Sequence, residues 1–418
     1  MNALTKALLA LVIALGIAVP AAAGGRDGWT AAWASSQMVP VNDQVVPADW
    51  LQDATIREVM RVGLCGDRMR LRLSNAFGTE PLAIGGVTVA PSADSRTSRL
   101  DASHLTQVSF GGRSATVIAA GAEVWSDPVA LAVAAGEHLT ISLYLPKAPM
   151  PPTGHPGSRA TTYFVHGNQI DAASLTGAQT APRWLTIAGI EVLAPSARAV
   201  AVLGDSITDG FGVQPDTDAR WTDRLAARLW ADKSQGPVAV INEGIGGNRL
   251  LHDGLGPSAL ARFQRDVLSQ PGVTHLIVLE GVNDLGTLTQ NAPASPDEHR
   301  ALVEQSIEAL RQIVLRAHSW GIVAIGGTIM PFGASKLYHP DAATEADRQA
   351  INTWIRAPGH FDAVIDFDAL MRDPANPSRL DPAVDSGDGL HPSLAGYRMM
   401  GDAVPLALLR SKASSARR

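Results

Sequence analysis

The strongest constraint on the fold is a set of short, solidly apolar runs in the second half of the chain. They occur at 199–203, 238–241, 276–279, 322–325 and 363–367. Unbroken apolar runs are typical of strands that are covered on both faces. Segments of helical character separate them, so strand and helix alternate five times. This alternation predicts an α/β fold with a flavodoxin-like, doubly wound parallel sheet.

One of the intervening helices has a clear start signal. Ser295-Pro296-Asp297-Glu298 fits a capping box with proline at the first helical position. An apolar stripe at helical spacing follows, formed by Val303, Ile307, Leu310, Val314 and Ala317. We therefore expect a long amphipathic helix that covers one face of the sheet.

The first half of the chain has a different period. Residues 30–194 contain many short runs that alternate between apolar and polar residues, such as 68–74 and 139–145. Glycine, proline, aspartate and asparagine punctuate these runs, a pattern typical of an antiparallel β-sandwich. The period changes near residue 195. We therefore predict a β-sandwich accessory domain over 24–195 and an α/β domain over 196–418.

The N-terminus has the features of a secretory signal peptide. Lys6 precedes an uncharged stretch that ends in small residues at Ala23. The apolar run is shorter than the ~20 residues that a membrane-spanning helix needs, and no cysteine near its end offers a lipid anchor. We expect residues 1–23 to be removed after Ala23, which leaves a secreted or periplasmic protein without a stable membrane anchor.

Composition excludes several functional classes. The chain has 418 residues, a formal charge of −6 and 46% hydrophobic residues, a composition that offers no basic surface for nucleic acid. Cys65 is the only cysteine. No intrachain disulfide is possible, and its apolar neighbours predict a small buried side chain. No cluster of histidine or cysteine has metal-ligand spacing, so we expect neither a metal nor a cofactor.

A chemically suggestive triplet, Gly204-Asp205-Ser206, follows the first apolar run. Open α/β sheets place their ligands at the carboxyl ends of strands, where Ser206 would present its hydroxyl. A serine after a strand is more often a cap or turn residue, so the triplet alone is weak. We interpret Ser206 as a candidate nucleophile and Asp205 as a residue that braces the turn.

A candidate base lies near the other end of the chain. A serine hydroxyl is a poor nucleophile until an imidazole accepts its proton. His391 comes three residues after Asp388, a spacing that puts both on one side of a helical turn. Asp388 would then accept from Nδ1 of His391 and leave Nε2 for Ser206. The spacing is common by chance and gains weight only from the other segments.

Acyl transfer also needs donors for a developing oxyanion. The Ser206 amide, Gly247 after the second strand and Asn283 after the third are candidates. A glycine lets its backbone approach a substrate closely, and an asparagine offers a neutral side-chain donor. A simple turn at Gly247 and a helix cap at Asn283 are the alternatives. No metal ligand is assigned among these residues.

The four segments around Ser206, Gly247, Asn283 and His391 resemble the four motif blocks of the GDSL/SGNH hydrolase family. The resemblance covers 197–410, with isoleucine at 207 where the family usually has leucine. It implies a serine hydrolase in which Ser206, Asp388 and His391 are catalytic, and in which Ser206, Gly247 and Asn283 form the oxyanion hole. The two-part architecture is similar to exported bacterial members of the xylanase-associated esterase type.

These observations favour an exported serine esterase that deacetylates a carbohydrate of the xylan type. The alternatives are a broad short-chain carboxylesterase or lysophospholipase, and a non-catalytic carbohydrate-binding envelope protein. The expected partner is a small-molecule or polysaccharide ester. Four residues of the first half are candidate sugar contacts: Trp125, Trp184, Tyr163 and His155.

Overall fold

The computed structural model describes residues 27–410. The predicted signal peptide, residues 1–23 with cleavage after Ala23, lies outside the described residues. Antiparallel sheets occupy the chain up to Leu193, and parallel strands begin at Arg198. The two parts differ in sheet type as their sequence periods differ, because antiparallel hairpins need only short turns whereas parallel strands need crossover connections.

The first part is built from antiparallel strands. They are β1 (Trp29–Ala34), β2 (Ala54–Arg61), β3 (Met69–Ser74), β4 (Leu82–Ile84), β5 (Gly86–Pro91), β6 (Thr106–Val108), β7 (Thr116–Ile118), β8 (Glu123–Trp125), β9 (His138–Leu145), β10 (Gly154–His155), β11 (Thr162–His166), β12 (Gln179–Ala181), β13 (Trp184–Leu185) and β14 (Ile187–Leu193). A six-stranded sheet has the order β12-β11-β2-β9-β5-β6, and a four-stranded sheet has the order β1-β14-β3-β8.

The polar face of the larger sheet is also buried. Along β9, Leu139 and Ile141 face the apolar core, and the alternating Thr140 and Ser142 are fully buried as well. Arg57 of β2 covers them: its Nε donates to Ser142 Oγ at 2.8 Å, and its other nitrogens donate to backbone carbonyls. The apolar–polar alternation of the sequence therefore belongs to a sheet whose polar face is covered by the buried Arg57 side chain and not by solvent.

The second part contains five parallel strands, β15 (Arg198–Gly204), β16 (Val238–Gly244), β17 (Val273–Leu279), β18 (Val323–Gly327) and β19 (Ala363–Ile365). Their order in the sheet is β16-β15-β17-β18-β19, and every pair is parallel. This 2-1-3-4-5 order is that of flavodoxin-like folds. The predicted fold class is confirmed.

Helices connect and cover these strands. They are α1 (Ser206–Asp209), α2 (Trp221–Ala231), α3 (Ala259–Phe263), α4 (Val282–Thr289), α5 (Pro296–Ser319), α6 (Ala342–Arg356), α7 (Phe367–Met371) and α8 (Leu394–Ala403). The predicted capping box of α5 is confirmed: Ser295 Oγ accepts from Glu298 N, and the Glu298 carboxylate accepts from Ser295 N at 2.7 Å. The side chains of Leu310 and Val314 on the predicted stripe are buried.

Three parallel strands end at the same level. Gly204 of β15 stands opposite Gly244 of β16 and Leu279 of β17. The loops that follow these strands therefore leave one edge of the sheet together. The strand order reverses between β15 and β17, which is where doubly wound sheets bind their ligands. The register thus brings segments from distant parts of the sequence to one place.

The first strand of the antiparallel part continues onto the parallel sheet. Ser35, just past β1, forms a parallel bridge with Asn242 of β16. The next residue, Ser36, donates from Oγ to Glu243 Oε2 at 2.8 Å. Both partners of this hydrogen bond are buried. The two parts of the chain are therefore joined by backbone and side-chain contacts directly beside the strand ends.

Arg262, at the end of α3, lies at the centre of this junction. It is 1% exposed, and its guanidinium donates to Gly204 O at 3.0 Å, to Glu243 O at 2.6 Å and to Asn248 Oδ1 at 2.9 Å. It also pairs with Asp266 Oδ2 at 3.1 Å. A buried guanidinium is tolerated when its donors are satisfied, as they are here.

The prediction that Cys65 is buried is wrong. Its side chain is exposed, and its sulfur accepts from Ala135 N at 3.3 Å. Cys65 lies in the connection between β2 and β3, where neighbouring Leu64 takes the inward position. Among residues 27–410, no helix combines the length and the apolar character needed to cross a bilayer.

We expect Arg262→Met to destabilise the protein strongly. The substitution keeps most of the volume but leaves Oδ2 of Asp266 and two strand-end carbonyls without their buried donor, although Arg265 still pairs with Oδ1 of Asp266. Removing one partner of a buried ion pair typically costs about 3–5 kcal/mol. Denaturant unfolding of the full chain would measure the loss. Arg311→Met, on the exposed face of α5 beside Glu308, is the control and should change stability little; equal effects of the two would contradict the assignment.

Candidate active site

Ser206 is held in a sharp strand-to-helix turn. β15 ends at Gly204, and Ser206 is the first residue of α1. Between them, the Asp205 side chain accepts from Ile207 N at 2.8 Å and caps the helix. A Cβ at position 204 would lie 2.2 Å from Thr208 Oγ1, so only glycine fits there. The turn fixes the serine at the carboxyl edge of the sheet.

Ser206 stands at one end of a chain of hydrogen bonds. Its Oγ lies 2.9 Å from Nε2 of His391, and Nδ1 of His391 lies 2.7 Å from Oδ2 of Asp388. Ser206 and His391 are 6% and 7% exposed. Asp388 is more accessible, because it lies in the loop that leads into α8. The structure brings these three predicted residues together although 185 positions separate the serine from the histidine.

The Asp388–His391 pair does not lie in a helical turn, contrary to our reasoning from their spacing. Gly389 adopts a φ of +75° between them, a conformation that favours glycine. The bend points two backbone amides at the aspartate: Asp388 Oδ1 accepts from Leu390 N at 2.9 Å and from His391 N at 2.8 Å. The loop holds the carboxylate in place, with Oδ2 directed at the imidazole.

The surroundings adjust the acidity of both groups. Burial lowers the pKa of His391 from its ordinary value, the hydrogen bond and charge of Asp388 oppose this, and the Arg159 charge adds to it. Partial burial acts to raise the pKa of Asp388, but the hydrogen bonds from His391 and Leu390 outweigh it and lower the pKa. The pair therefore consists of an ionised carboxylate and a neutral imidazole near neutral pH.

The predicted oxyanion donors lie in the same pocket wall as Ser206. Gly247 has a φ of +75°, and a Cβ there would lie 2.5 Å from Leu255 Cδ1. Glycine is therefore required in this loop. Asn283 is the second residue of α4, and its Nδ2 donates to Asn248 O at 2.7 Å. The second hydrogen of this amide is available to a ligand.

The loop that carries Gly247 is fastened by neighbours. Asp284, which follows Asn283, accepts from Leu250 N at 2.7 Å and from Leu251 N at 3.0 Å. Asn248 accepts from Arg262 and donates to the carbonyl of Leu255 at 3.1 Å. The contacts of Asp284 and Arg262 connect the loop to α4 and α3. Their effect is to preorganise the donors before a substrate arrives.

Tyr338 is a positioning residue that sequence reasoning missed. Its hydroxyl donates to Asn283 Oδ1 at 2.6 Å. This bond fixes which end of the amide carries the oxygen, so Nδ2 faces the opposite side. Burial, followed by the charge of Asp205, raises the pKa of Tyr338 to about 12 and keeps it a donor. The loop after β18 has no strong local motif, so nothing in the sequence pointed to it.

A second histidine–aspartate pair supports α1. His155 Nδ1 lies 2.9 Å from Ser36 O, and its Nε2 lies 2.9 Å from Asp209 Oδ1. Burial acts to raise the pKa of Asp209, but the charges of His155, Arg159 and Arg220 lower it. The ring thus faces an acceptor at each nitrogen. This buried pair joins the antiparallel part to the helix that begins at Ser206.

All five predicted site residues line one open pocket of about 630 Å³, a volume suited to a small organic ligand. Both parts of the chain contribute to its walls. From the antiparallel part come Met38, Asp43, Gln44, His155, Pro156, Gly157, Arg159 and Arg183. Phe211 stacks on His391 with ring centroids 4.2 Å apart. Several of these residues have no recognisable motif, so the sequence indicated few of them.

Of the four candidate sugar contacts, His155 reaches this pocket. Trp184 and Tyr163 are 7% and 9% exposed, and Trp184 packs edge-on against Trp33 at 4.8 Å. Trp125 is exposed, but it lies on β8 and donates to Glu191 at 2.8 Å. Trp184 and Tyr163 belong to the core of the first part because their side chains are buried on β13 and β11.

The arrangement contains the elements of acyl transfer: a hydroxyl beside an imidazole, a carboxylate behind it, and candidate donors that line the same pocket. Residues 27–410 hold no group of three or more histidine, cysteine, aspartate or glutamate side chains arranged for a metal ion.

Residues 202–399 match the sequence profile described as the GDSL-like Lipase/Acylhydrolase family. No curated protein was found to match the chain.

Among solved structures, a GDSL-like lipase from Bacteroides thetaiotaomicron VPI-5482 is 17% identical, with 50% of this chain and 87% of that chain covered and a TM-score of 0.37. An acetylxylan esterase from Geobacillus stearothermophilus is 20% identical, with 51% and 95% covered and a TM-score of 0.38.

We expect Tyr338→Phe to lower kcat for ester hydrolysis about tenfold, with a smaller effect on KM. The ring is kept, but Asn283 loses the donor that orients its amide, and a misplaced oxyanion donor acts on the transition state. Steady-state kinetics with a short aryl ester would measure the change. Tyr144→Phe removes a hydroxyl that donates to exposed Asp53 and is the control. An effect on stability without a fall in kcat would contradict the assignment.

The pH profile should reflect His391. Only the neutral imidazole can accept the Ser206 proton, so activity is lost as pH falls through the folded-state pKa. Because that pKa is lowered, we expect the acid limb of kcat/KM to have its midpoint below the ordinary value of about 6.5. Exposed His104, paired with Asp101, provides the control variant His104→Gln. A midpoint above about 6.5, with the protein still folded, would exclude this environment for the base.

Proposed function

We propose that the protein is an exported serine esterase that removes short acyl groups from carbohydrates. The match of residues 202–399 to the GDSL-like lipase/acylhydrolase family supports an ester hydrolase. The observation that carries the catalytic part is the hydrogen-bonded series Ser206–His391–Asp388 on the wall of an open pocket. In this proposal the three residues are nucleophile, general base and orienting carboxylate.

The reaction proceeds in two acyl-transfer steps. Nε2 of His391 takes the proton as Ser206 Oγ forms a bond to the carbonyl carbon of the ester. The resulting imidazolium is stabilised by Asp388 and then gives its proton to the departing alcohol oxygen. A water molecule attacks the acyl-enzyme by the same route in reverse, with His391 again as base. The free acid leaves and Ser206 regains its hydrogen.

The developing oxyanion would be bound by the backbone amides of Ser206 and Gly247 and by Nδ2 of Asn283. Each such preorganised donor typically contributes about 3 kcal/mol to the transition state. Two restraints on the donors support this role. The positive φ at position 247 favours glycine, and the Tyr338 hydroxyl fixes the orientation of the Asn283 amide. A rigid set of donors needs little rearrangement during the reaction.

The shape of the pocket supports a short acyl group. Beside Gly247 the wall is apolar, formed by Met38 and Ile245, each 1% exposed, and by Leu255. The opposite wall carries polar groups of the antiparallel part, including Gln44 and Arg183. An alcohol rich in hydroxyl groups fits this wall better than a lipid chain does, which favours a carbohydrate ester. Export through residues 1–23 would place the enzyme with extracellular polymers.

A broad short-chain carboxylesterase is the second candidate. Phe211 and Leu337 line the pocket and are 47% and 51% exposed. Such exposed apolar side chains at the mouth of a site would also accept hydrophobic alcohols.

Acetate release from acetylated xylan, measured beside hydrolysis of 4-nitrophenyl acetate, would test the proposal. We expect the wild-type protein to act on both and Ser206→Ala to lose both activities by several orders of magnitude, because the Ser206 hydroxyl is the group that contacts Nε2 of His391. Ser319→Ala, an exposed serine at the end of α5, is the matched control and should keep full activity.

The other outcomes are equally informative. Turnover of the aryl ester without acetate release from xylan would refute the carbohydrate substrate and favour the carboxylesterase. A folded wild-type protein that neither hydrolyses esters nor reacts with a fluorophosphonate would refute the serine mechanism and favour a binding protein.

A further inference from the structure

One cation in the pocket has no hydrogen-bonded counterion. Arg159 lies between β10 and β11, and its side chain lines the pocket. Within residues 27–410, its guanidinium forms no ion pair and no hydrogen bond, and its Nε is buried without a partner. A half-buried guanidinium without an acceptor loses hydration that nothing in the protein replaces. A guanidinium without hydrogen bonds is available to bind a ligand.

The backbone at Arg159 is held in an uncommon conformation. Its φ is +49°, in the left-handed region that non-glycine residues seldom adopt. Asp216 N donates to the Arg159 carbonyl at 2.9 Å, and the Asp216 carboxylate accepts from Thr161 N and Oγ1. Asp216, in the α/β part of the chain, therefore holds this strained backbone in place. Strain of this kind is concentrated at functional sites.

The nearby carboxylates hydrogen-bond to other groups: Asp209 to His155, Asp388 to His391, and Asp216 to Thr161. Among residues 27–410, Oδ2 of Asp209 has no hydrogen-bond partner, and the Arg159 charge stabilises this carboxylate although no ion pair joins the two side chains. Arg183 and Lys336 line the same pocket, and both donate only to backbone carbonyls. Three cations and the carboxylates of Asp43, Asp209 and Asp388 therefore line this pocket, and Arg159 is the cation among them that forms no hydrogen bond within the described part of the chain.

The position of Arg159 assigns it to one side of the ester. His391 must protonate the departing oxygen, so the alcohol part lies against this imidazole. Phe211 stacks on His391 at 4.2 Å, and the Arg159 guanidinium lies 5.8 Å from the centre of the Phe211 ring. The oxyanion donors and the apolar wall of Met38 and Ile245 lie around Gly247 instead. Arg159 is therefore placed to contact the alcohol and not the acyl group.

We propose that Arg159 binds an anionic group, in the simplest case a carboxylate, on the alcohol part of the ester that Ser206 attacks. A guanidinium matches a carboxylate with two parallel hydrogen bonds. The face of Phe211 beside it would pack on the ring of the same alcohol. This inference rests on the proposed serine esterase function and narrows its substrate to esters of acidic alcohols, such as acylated sugars that carry a carboxylate.

Two small esters that differ in a single charge test the inference: 3-acetoxybenzoate and its methyl ester. The readout is the ratio of their kcat/KM values, because effects on His391, on the nucleophile or on folding act on both substrates and cancel. We expect Arg159→Gln to lower this ratio about tenfold to a hundredfold, the usual range for a hydrogen-bonded charge. Arg159→Lys, which keeps the charge but not the planar fork, should retain part of the preference.

The control is Arg96→Gln, an exposed arginine beside Asp94, which should leave the ratio unchanged. High salt should lower the wild-type ratio more than that of Arg159→Gln, in which Arg183 and Lys336 remain. An unchanged ratio in Arg159→Gln, or equal losses on both esters, would overturn the anion site while leaving the esterase function intact. Absence of any hydrolysis that depends on Ser206 would overturn both.

Discussion

The site depends on one buried guanidinium. Arg262 donates to the last carbonyl of β15 and to the carbonyl of Glu243 near the end of β16. It also donates to the side chain of Asn248, in the loop that carries Gly247. These contacts fix three segments whose relative positions decide where Ser206 and Gly247 lie. Since a buried cation is stable only with its acceptors in place, fold and site share one energetic requirement. A substitution that removes these contacts should therefore affect both the stability of the fold and the geometry of the site.

The antiparallel part of the chain is a structural component of the site. Ser36 contacts Arg262, His155 holds Asp209, and Arg159 lines the pocket beside Phe211. An open α/β sheet alone presents a shallow edge to solvent. Here the first part of the chain adds a polar wall to that edge, and the two buried contacts keep this wall in register with the helix that begins at Ser206. In our proposal, the alcohol part of the substrate lies against this wall.

Carboxylates of the same chemical type differ in charge state because their surroundings differ. Burial raises the pKa of Asp205 to about 7, and the neighbouring Asp284 adds to the rise. Asp388 is partly exposed and accepts hydrogen bonds from two backbone amides and the imidazole, which lower its pKa. The first acid braces the turn at Ser206, whereas the second remains a negative charge behind His391. Separating carboxylates in this way lets one site contain both a structural and a functional acid.

The sequence by itself determined the strands, their ends and the chemistry carried there. Period and strand-end motifs are local, so the parallel sheet, Ser206, Gly247, Asn283, Asp388 and His391 could be predicted from short stretches of chain. The spacing argument assumed a helical turn between Asp388 and His391, whereas a glycine bend brings their side chains together. The tertiary structure alone decided the contacts of Arg262 and Tyr338, the position of Arg159 in the pocket and the exposure of Cys65. Those properties arise from contacts between segments far apart in sequence, and no local pattern encodes which distant group a side chain will meet.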